Sequence, residues 1–558
     1  MGRICRCTDE YRVAVSAKKD QLNVGQELRG DALRTATASP AYDVVFIGAG
    51  ISTSYSLLHL LADLQRLPGP GIFRFGIVER SADTFCGVPY GERSSHTSLL
   101  ITALRDFLPD AERALFRGWL TANKHWVFDS FRTRGGALSA HWLRVHHETI
   151  VHNDWDGLYL PRYIFGLYMD ERVRAVIAAG EASGHLVCDV LQHEAVDLRH
   201  DDAGYLIQVA DRDGPIRSRH VVLAVGAPPN RSMLAAPPGA DDTAVCLVED
   251  PYVPSLTAAL ERITARLESH PAVPHVLLIG GNATTMDVLY TMNGFAGLSW
   301  GSVRFHIVTP SGHLPDRFVD AVAPTAFVPA QLRALVEDAD PTARAVYEAA
   351  RRDLAQASRD GLGPSDTLAP ISEAVAVLMR LVPPHEKQAF AQRWGVELGR
   401  LQRRAGPEYS DLAERLAAEG RLFVRRGRFK CITAIDDSGA QVAYECDGTT
   451  MLLPDRLDVI VNCGGFARID ELPEHEFLRR IVDRGTCHLT ASGAGIAVND
   501  VMEANDGLFV MGPLLAGNVV AGTPIWHLEH CGRISTSSAS LARTLAERLR
   551  RPAGLRAG

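Results

Sequence analysis

Short apolar runs alternate with amphipathic segments along most of this chain. Val44–Ile47 is an unbroken apolar run, typical of a strand that is buried on both faces of a parallel sheet. Ser52–Arg66 follows with leucines at helical spacing, and Phe73–Val78 is a second apolar run that ends at Glu79. The order strand, helix, strand predicts a β-α-β unit near the start of the chain.

The same order recurs about 230 residues later, although less regularly. Val276–Ile279 is predicted as a strand, Thr284–Met292 as a helix and Val303–Val308 as the next strand. Two further apolar runs end in glycine, at His220–Gly226 and at Leu457–Gly465. Strands that alternate with helices indicate an α/β protein built on parallel sheets.

A glycine-rich turn joins the first strand to the helix in each unit. In the first unit Gly48 permits the tight turn, and Gly50 lets the backbone approach a pyrophosphate closely. The helix then directs its first amides at the phosphates, and Glu79 can accept hydrogen bonds from a ribose. Gly280 and Gly281 form the second turn. Two such turns predict two nucleotide cofactors, and the natural pair is FAD with NAD(P)H.

Both turns depart from the usual three-glycine fingerprint. Thr53 stands where the third glycine often lies, and it is small enough for a helix to pack on a strand. Asn282 replaces the second glycine of the other turn, and its side chain could crowd a pyrophosphate. No acidic residue closes that unit, whereas His313 and Arg317 lie nearby. This favours NADPH, with NADH as the alternative.

Composition narrows the class of protein. The 558 residues are enough for two or three domains, and the net charge of −8 gives no reason to expect nucleic acid or an anionic membrane as partner. No apolar run is long enough to span a bilayer, and the first residues lack the apolar core of a signal peptide. Ten scattered cysteines favour reduced thiols and a cytoplasmic location. Cys5-x-Cys7 fits no common zinc spacing, so no metal is predicted.

The predicted fold class is α/β, with two Rossmann-like dinucleotide-binding domains and a helical insert. Residues 1–40 are predicted as a flexible extension, 41–265 and 441–558 as the two parts of the FAD domain, and 266–440 as the NAD(P)H domain. The insert spans about residues 329–420, with helices predicted over Ala330–Glu337, Thr342–Ser358, Ile371–Leu381 and Pro384–Arg404.

Several segments resemble those of flavoprotein monooxygenases with two Rossmann-like domains. Ser94–Pro109, with Phe116 and Trp119 after it, and Pro161–Tyr168 are similar to segments of the amine N-hydroxylases that act on ornithine and lysine. A broader bacterial group, which includes the aspartate N-monooxygenases that form nitrosuccinate, is similar at Gly280–Asp287, Ser311–Pro315 and Gly420–Arg428. Gly507–Asn518 looks like the last FAD-domain strand and the loop after it. The resemblance covers roughly residues 41 to 550.

The resemblance implies an FAD- and NADPH-dependent monooxygenase that oxidises the amine of a small amino acid through a C4a-(hydro)peroxyflavin. L-aspartate, carried towards nitrosuccinate, is the first expectation for the substrate, with O2 as co-substrate and a homo-oligomer as a possible assembly. Ornithine- or lysine-type hydroxylation, Baeyer–Villiger or sulfur oxygenation, and an FAD-binding protein with an inactive NAD(P)H site stay open as alternatives. A disulfide-type flavin reductase is disfavoured because no Cys-x-x-Cys lies near either unit.

Three groups of site residues follow from these motifs and from the resemblance. The catalytic candidates, expected near the flavin, are His96, Ser98 and Asn518. The candidate anchors for substrate carboxylates are Arg93, Arg105 and Arg162, because arginine binds carboxylates bidentately. The cofactor-binding candidates are Gly48, Gly50, Ile51, Ser52, Glu79, Arg80, Gly280, Gly281, Asn282, Ala283, Thr284, Gly512, Asn518 and His527.

Overall fold

The computed structural model of the protein describes residues 42–66, 71–237, 244–268, 273–294, 303–318, 327–338 and 340–550. The predicted extension over residues 1–40 and the Cys5-x-Cys7 pair lie outside the described residues.

Strands and helices alternate as the sequence predicts. The strands are β1 Tyr42–Ile47, β2 Phe73–Glu79, β3 Leu186–Gln192, β4 Ala195–Asp201, β5 Gly204–Val209, β6 Ile216–Leu223, β7 Cys246–Val248, β8 His275–Ile279, β9 Arg304–Thr309, β10 Asp316–Arg317, β11 Arg404–Ala405, β12 Leu422–Arg426, β13 Arg428–Asp436, β14 Gly439–Cys446, β15 Thr449–Leu452, β16 Val459–Asn462, β17 Glu503–Asn505, β18 Leu508–Val510, β19 Asn518–Val520 and β20 Thr523–Ile525.

The helices are α1 Ile51–Arg66, α2 Gly87–Tyr90, α3 Leu104–Phe107, α4 Asp110–Val145, α5 His147–Val151, α6 Arg162–Ala182, α7 Leu256–Glu268, α8 Ala283–Gly294, α9 Ala330–Ala334, α10 Ala343–Arg359, α11 Pro364–Leu381, α12 Pro384–Ala389, α13 Gly395–Leu401, α14 Pro407–Ala418, α15 Phe477–Asp483 and α16 Cys531–Arg550. The long helix α4 bends at Gly136, whose φ of +58° lies outside the helical region.

The first sheet is built around β1. Strands β2 and β6 flank β1 in parallel, β3 continues beyond β2, and β18 with β17 continues beyond β6. Val44, Val45 and Phe46 have no exposed surface, as expected for a strand covered on both faces. Helix α1 follows β1 and packs against α16 near the C-terminal end of the described chain.

The second sheet has the order β12-β9-β8-β16-β7, and all of its pairs are parallel. Together the two sheets confirm the predicted α/β class with two Rossmann-like domains. Strands β7 and β16 pair within the second sheet, and the predicted domain boundaries at 265/266 and 440/441 stay predictions. The chain crosses between β6 and β7 and returns after β16. An apolar run shows that a strand is buried, but not which sheet it joins.

The insert is helical, as predicted, with different helix ends. The predicted helix Ile371–Leu381 begins earlier, at Pro364, where a missing N–H costs no helical hydrogen bond. The predicted helix Pro384–Arg404 is divided by a π turn at Phe390–Trp394 and ends at Leu401. Arg404 instead pairs with Asp316 in a short two-stranded sheet, so this end of the insert returns to the second domain.

Candidate cofactor and substrate site

The first glycine turn leaves no space for a side chain at Gly48. Gly48 has a φ of +97°, and a Cβ added there would lie 2.5 Å from the carbonyl oxygen of Ala224 at the end of β6. Its N–H donates to the carbonyl oxygen of Val78 at 2.8 Å, which closes the turn over β2. Backbone atoms of three neighbouring strands therefore meet at this turn, and only glycine fits there.

The carboxylate of Glu79 lies directly beside this turn. It accepts a hydrogen bond from the Ala49 N–H at 2.8 Å and another from the Ser81 N–H at 2.9 Å. Arg80, the next residue, points outward and forms an exposed ion pair with Glu194 at 3.2 Å. The structure thus brings Glu79 to the turn, as its place at the end of β2 suggested, while contact of either residue with a ribose stays a prediction.

The second turn repeats the construction of the first. Gly280 has a φ of +104°, and a Cβ there would lie 2.6 Å from the carbonyl oxygen of Cys463, just after β16. Its N–H donates to the carbonyl oxygen of Val308 at 2.9 Å. At Gly281 a Cβ would lie 2.7 Å from Thr309 Oγ1. The match with Gly48 shows that the second turn has the same strand geometry, despite its irregular sequence.

A threonine occupies the third fingerprint position in both turns. Thr53 Oγ1 donates to the carbonyl oxygen of Gly48 at 2.6 Å, and Thr285 Oγ1 donates to that of Gly280 at 2.9 Å. Both threonines are fully buried. Each hydroxyl thus connects the glycine turn, through a hydrogen bond, to the first helical turn that follows it. The missing third glycine therefore does not disrupt either unit.

The second fingerprint position is where the turns differ. A Cβ at Gly50 would lie 3.6 Å from Gly87 Cα, an ordinary contact. In the other glycine turn, the backbone carbonyl of Asn282 accepts a hydrogen bond from the Met286 N–H at 3.2 Å, so α8 begins as a regular helix. Ala283 and Thr284 lie in its first helical turn. Asn282 Oδ1 is buried and has no hydrogen-bond partner within the described ranges. An orphaned acceptor at a helix start fits a nucleotide hydroxyl or amide as its missing donor.

The loop after β18 lies against the helix that follows the first glycine turn. Gly512 has a φ of +78°, and a Cβ there would lie 2.4 Å from Ser52 Oγ at the start of α1. Ile51 and Ser52 are themselves buried. The loop after β18 therefore lies against the helix that would face the pyrophosphate, and the residues around Gly48 fit an FAD molecule bound across the carboxyl ends of the strands.

The predicted catalytic residues do not share one environment. His96 Nε2 lies 2.9 Å from Arg134 Nη1 and 3.4 Å from Glu92 Oε2, and the hydrogen bond with His96 is the main cause that lowers the pKa of Glu92 to about 2. Ser98 is fully buried, and its Oγ has no partner among the residues described. The roles of both residues stay predictions.

Asn518 and His527 lie after the last strand of the first sheet. The Asn518 amide donates to the carbonyl oxygens of Ile496 and Leu515 at 2.8 and 3.0 Å and accepts from the Val498 N–H at 3.0 Å. Its side chain thus joins two backbone segments. His527 is half exposed and lies 2.9 Å from Glu529. Direct flavin contact by either residue stays a prediction.

The three arginines predicted as substrate anchors lie in different environments. The Arg93 Nε donates to the carbonyl oxygen of Tyr252 at 3.0 Å, and burial, followed by the nearby Arg80, lowers the pKa of Arg93. Arg105 is half-buried in α3 and close to Gly157. Arg162 is different, because its Nη2 lies 2.6 Å from Asp287 Oδ2 in an ion pair that is almost completely buried. That guanidinium is paired inside the protein, and its role in substrate binding stays a prediction.

Sequence reasoning missed two tyrosines and one arginine. Tyr252 and Tyr409 both donate to Asp287, at 2.7 and 2.9 Å, and no motif marked either tyrosine. Arg404 is half-buried, with its guanidinium 5.1 Å from the ring centre of Phe318. The only sequence signal for Arg404 was a basic pair at the end of a helical pattern, which usually indicates an exposed face.

The comparisons with known proteins agree with this geometry. Residues 45–228 match the family described as FAD-NAD(P)-binding. The uncharacterized protein Rv3403c of Mycobacterium tuberculosis (strain ATCC 25618 / H37Rv) is 31% identical over 522 residues, which cover 92% of this chain and 97% of that protein. The same values hold for the uncharacterized protein Mb3437c of Mycobacterium bovis (strain ATCC BAA-935 / AF2122/97). The chain belongs to the same family as these two proteins. The predicted cofactors, FAD and NADPH, are confirmed.

Two solved structures illustrate the likeness in fold. L-lysine 6-monooxygenase from Pseudomonas syringae is 14% identical with a TM-score of 0.49, over 91% of this chain and 99% of that one. The reduced ornithine hydroxylase from Pseudomonas aeruginosa is 11% identical with a TM-score of 0.46, over 91% and 100%. Likenesses this distant do not bear on substrate or reaction. Within the described ranges, no helix is both long and apolar enough to cross a membrane.

Proposed function

We propose that this protein is an FAD- and NADPH-dependent monooxygenase that oxidises the amine of a small amino acid, with L-aspartate as the first candidate. The observation that carries the proposal is the pair of matching glycine turns at Gly48 and Gly280, each closed against three strands of its own sheet. Bound FAD would accept hydride from NADPH and activate O2 for transfer to the substrate. One turn per nucleotide is what such a reaction requires.

The overall reaction balances with these co-substrates. One oxygen atom of O2 enters the new N–O bond, the other leaves as water, and NADPH supplies the two electrons. The amine must be uncharged to act as the nucleophile, so the site has to exclude water from an ammonium group or accept its proton. No Cys-x-x-Cys occurs in the sequence, which disfavours a disulfide reductase that uses this motif.

The surroundings of Arg404, which include Arg105, support an anionic substrate. Both are charged neighbours of Tyr159, whose pKa is raised to about 12 mainly by burial. Burial lowers the pKa of Arg404, and the nearby Asp106 only partly opposes that effect. A half-buried guanidinium in this position is stabilised by a carboxylate that arrives with a ligand. We infer that Arg404 binds the side-chain carboxylate of the substrate, which distinguishes aspartate from lysine and ornithine, while an anchoring role of Arg105 stays a prediction.

Flavin reduction and oxygen consumption test this function directly. The FAD-loaded protein is mixed with NADPH without oxygen, then aerated with L-aspartate, L-ornithine or L-lysine while oxygen uptake and products are measured. We expect the flavin to bleach and L-aspartate to stimulate oxygen uptake, with a hydroxylamine, nitroso or nitro product. Flavin that stays oxidised with both NADPH and NADH would contradict the proposal and favour an FAD-binding protein with an inactive second site.

The substrate anchors are tested separately. Arg404→Met is expected to raise the KM for aspartate at least about tenfold, with little change in flavin bleaching, because a charge-assisted hydrogen bond to the substrate is lost. The matched control is Arg400→Met, since Arg400 is exposed and paired with Glu397 on the same segment. Equal KM values for both variants would exclude Arg404 as an anchor. Cytoplasmic location and homo-oligomerisation stay predictions.

A further inference from the structure

One buried polar network connects the two nucleotide-binding domains. Arg162 lies on α6, between strands β2 and β3 of the first sheet, and Asp287 lies on α8, between strands β8 and β9 of the second; the proposed function assigns FAD to the first domain and NADPH to the second. Their charged atoms are 2.6 Å apart, and the side chains are only 12% and 2% exposed. A charge pair withdrawn from water to this degree is stable only when its remaining hydrogen-bonding positions are also filled.

Neighbouring side chains fill those positions from both domains. On the FAD side, Ser94 Oγ accepts from Arg162 Nε at 2.9 Å. On the NADPH side, Tyr252 donates to Asp287 Oδ2 at 2.7 Å, and Tyr409 donates to Asp287 Oδ1 at 2.9 Å. Tyr252 also accepts from Arg162 at 3.4 Å. Both carboxylate oxygens of Asp287 are therefore used.

A second contact extends the network to the backbone of the FAD domain. The Leu99 N–H donates to the Tyr409 hydroxyl at 2.9 Å, so this tyrosine bridges the two domains by itself. Leu99 immediately follows Ser98, a predicted catalytic residue. Burial is the largest cause that raises the pKa of Tyr409, with Asp287 next, so its hydroxyl keeps its proton and remains a donor.

Asp287 is close to the second nucleotide turn along the chain. It lies in the second helical turn of α8, two residues after Thr285, whose hydroxyl donates a hydrogen bond to the carbonyl oxygen of Gly280. A displacement of Asp287 would therefore also move the N-terminal end of α8, which would face the nucleotide. Arg162 lies at the start of α6, and its backbone N–H donates to the carbonyl oxygen of Ser98 at 2.9 Å. The ion pair thus joins the nucleotide turn of one domain to the 94–99 loop of the other.

We propose that Asp287, held by Arg162, Tyr252 and Tyr409, is a positioning residue that fixes the NADPH turn relative to the flavin and thereby sets the rate of hydride transfer. This inference rests on the proposed function for its kinetic part, because hydride transfer requires both cofactors in one active site. The reacting atoms must come within about 3–3.5 Å, so a shift of about 1 Å between the domains is enough to slow the step.

The test compares Asp287→Asn and Tyr409→Phe in the full-length, FAD-loaded protein. Asparagine keeps the shape of the side chain but removes the charge that faces Arg162, and phenylalanine removes only the bridging hydroxyl. The matched control is Tyr290→Phe, because the Tyr290 ring lies 5.0 Å from that of Tyr409 and no hydrogen bond of its hydroxyl is seen in the described part of the chain. Three measurements are made on each variant: FAD affinity, bleaching by NADPH and bleaching by dithionite.

We expect bleaching by NADPH to slow at least about tenfold in Asp287→Asn and several-fold in Tyr409→Phe, with FAD affinity and dithionite bleaching unchanged. The dithionite reaction bypasses the NADPH domain, so it separates positioning from damage to the flavin site. Unchanged NADPH bleaching in both variants would overturn the inference. Equal slowing of both reductions in Tyr409→Phe would also overturn it, because the variant would then have disturbed the flavin site itself.

Hydrogen exchange gives a readout that does not depend on catalysis. The Leu99 amide is expected to exchange faster in Tyr409→Phe than in wild type or Tyr290→Phe, because its acceptor is lost. If wild-type protein is not bleached by NADPH at all, the proposed function fails, while faster exchange at Leu99 still supports the domain contact. Unchanged exchange at Leu99 would show that the bridge is absent.

Discussion

Alanine at Gly48 and at Gly280, one at a time, tests which turn binds which cofactor. At both positions the new Cβ would lie within 2.6 Å of a backbone carbonyl oxygen. The left-handed backbone alone costs an alanine about 1–2 kcal/mol, and overpacking adds about 1–3 kcal/mol. The sum, about 2–5 kcal/mol, is below the total stability of most domains, so we expect a displaced turn rather than an unfolded protein.

A displaced turn loses its approach to the pyrophosphate. Because 1.4 kcal/mol corresponds to a tenfold change in affinity, Gly48→Ala should weaken FAD binding by at least about 30-fold. Gly280→Ala should keep its FAD but be bleached by NADPH only at much higher NADPH concentrations. FAD content of the purified protein, titration with FAD and anaerobic bleaching measure these effects.

The control and the refuting outcomes are specific. Gly118→Ala, in α4, should change nothing, because an added Cβ meets no atom within 4 Å there. If Gly280→Ala loses FAD while Gly48→Ala retains it, the assignment of the two turns is wrong. If neither variant differs from Gly118→Ala, the close contacts do not control cofactor binding.

Three further effects are expected. Glu79→Ala should weaken FAD binding several-fold in a titration, because the Ala49 N–H loses its acceptor. Burial lowers the pKa of His220 to about 4, so below about pH 6.5 the unfolded chain binds more protons than the folded protein. The free energy of unfolding, measured with urea, should therefore fall by on the order of 3 kcal/mol between pH 6.5 and pH 4. The fall should be smaller in His220→Phe. Asp353→Ala should lower the thermal midpoint with FAD content unchanged, because both carboxylate oxygens accept from backbone N–H groups at the start of α9.

The amino-acid sequence by itself determined the local elements and both nucleotide turns. Val44–Ile47 is a buried strand because every side chain in it is apolar, and Gly48 is needed because the turn after it demands a positive φ. The predicted helices of the insert exist, although α11 begins seven residues before its predicted start at Ile371. These features depend on residues that are close together in the chain, so a pattern can reveal them.

Only the tertiary structure decided which strands join which sheet and which polar groups meet. Cys463 closes the turn at Gly280 because β16 pairs with β8, although the two residues are far apart in sequence. Arg162, which the sequence predicts as an anchor for a substrate carboxylate, forms an ion pair with Asp287, 125 residues away. A guanidinium suits either partner equally well. Its choice depends on where the fold places α6 and α8 in space, which no local pattern of residues contains.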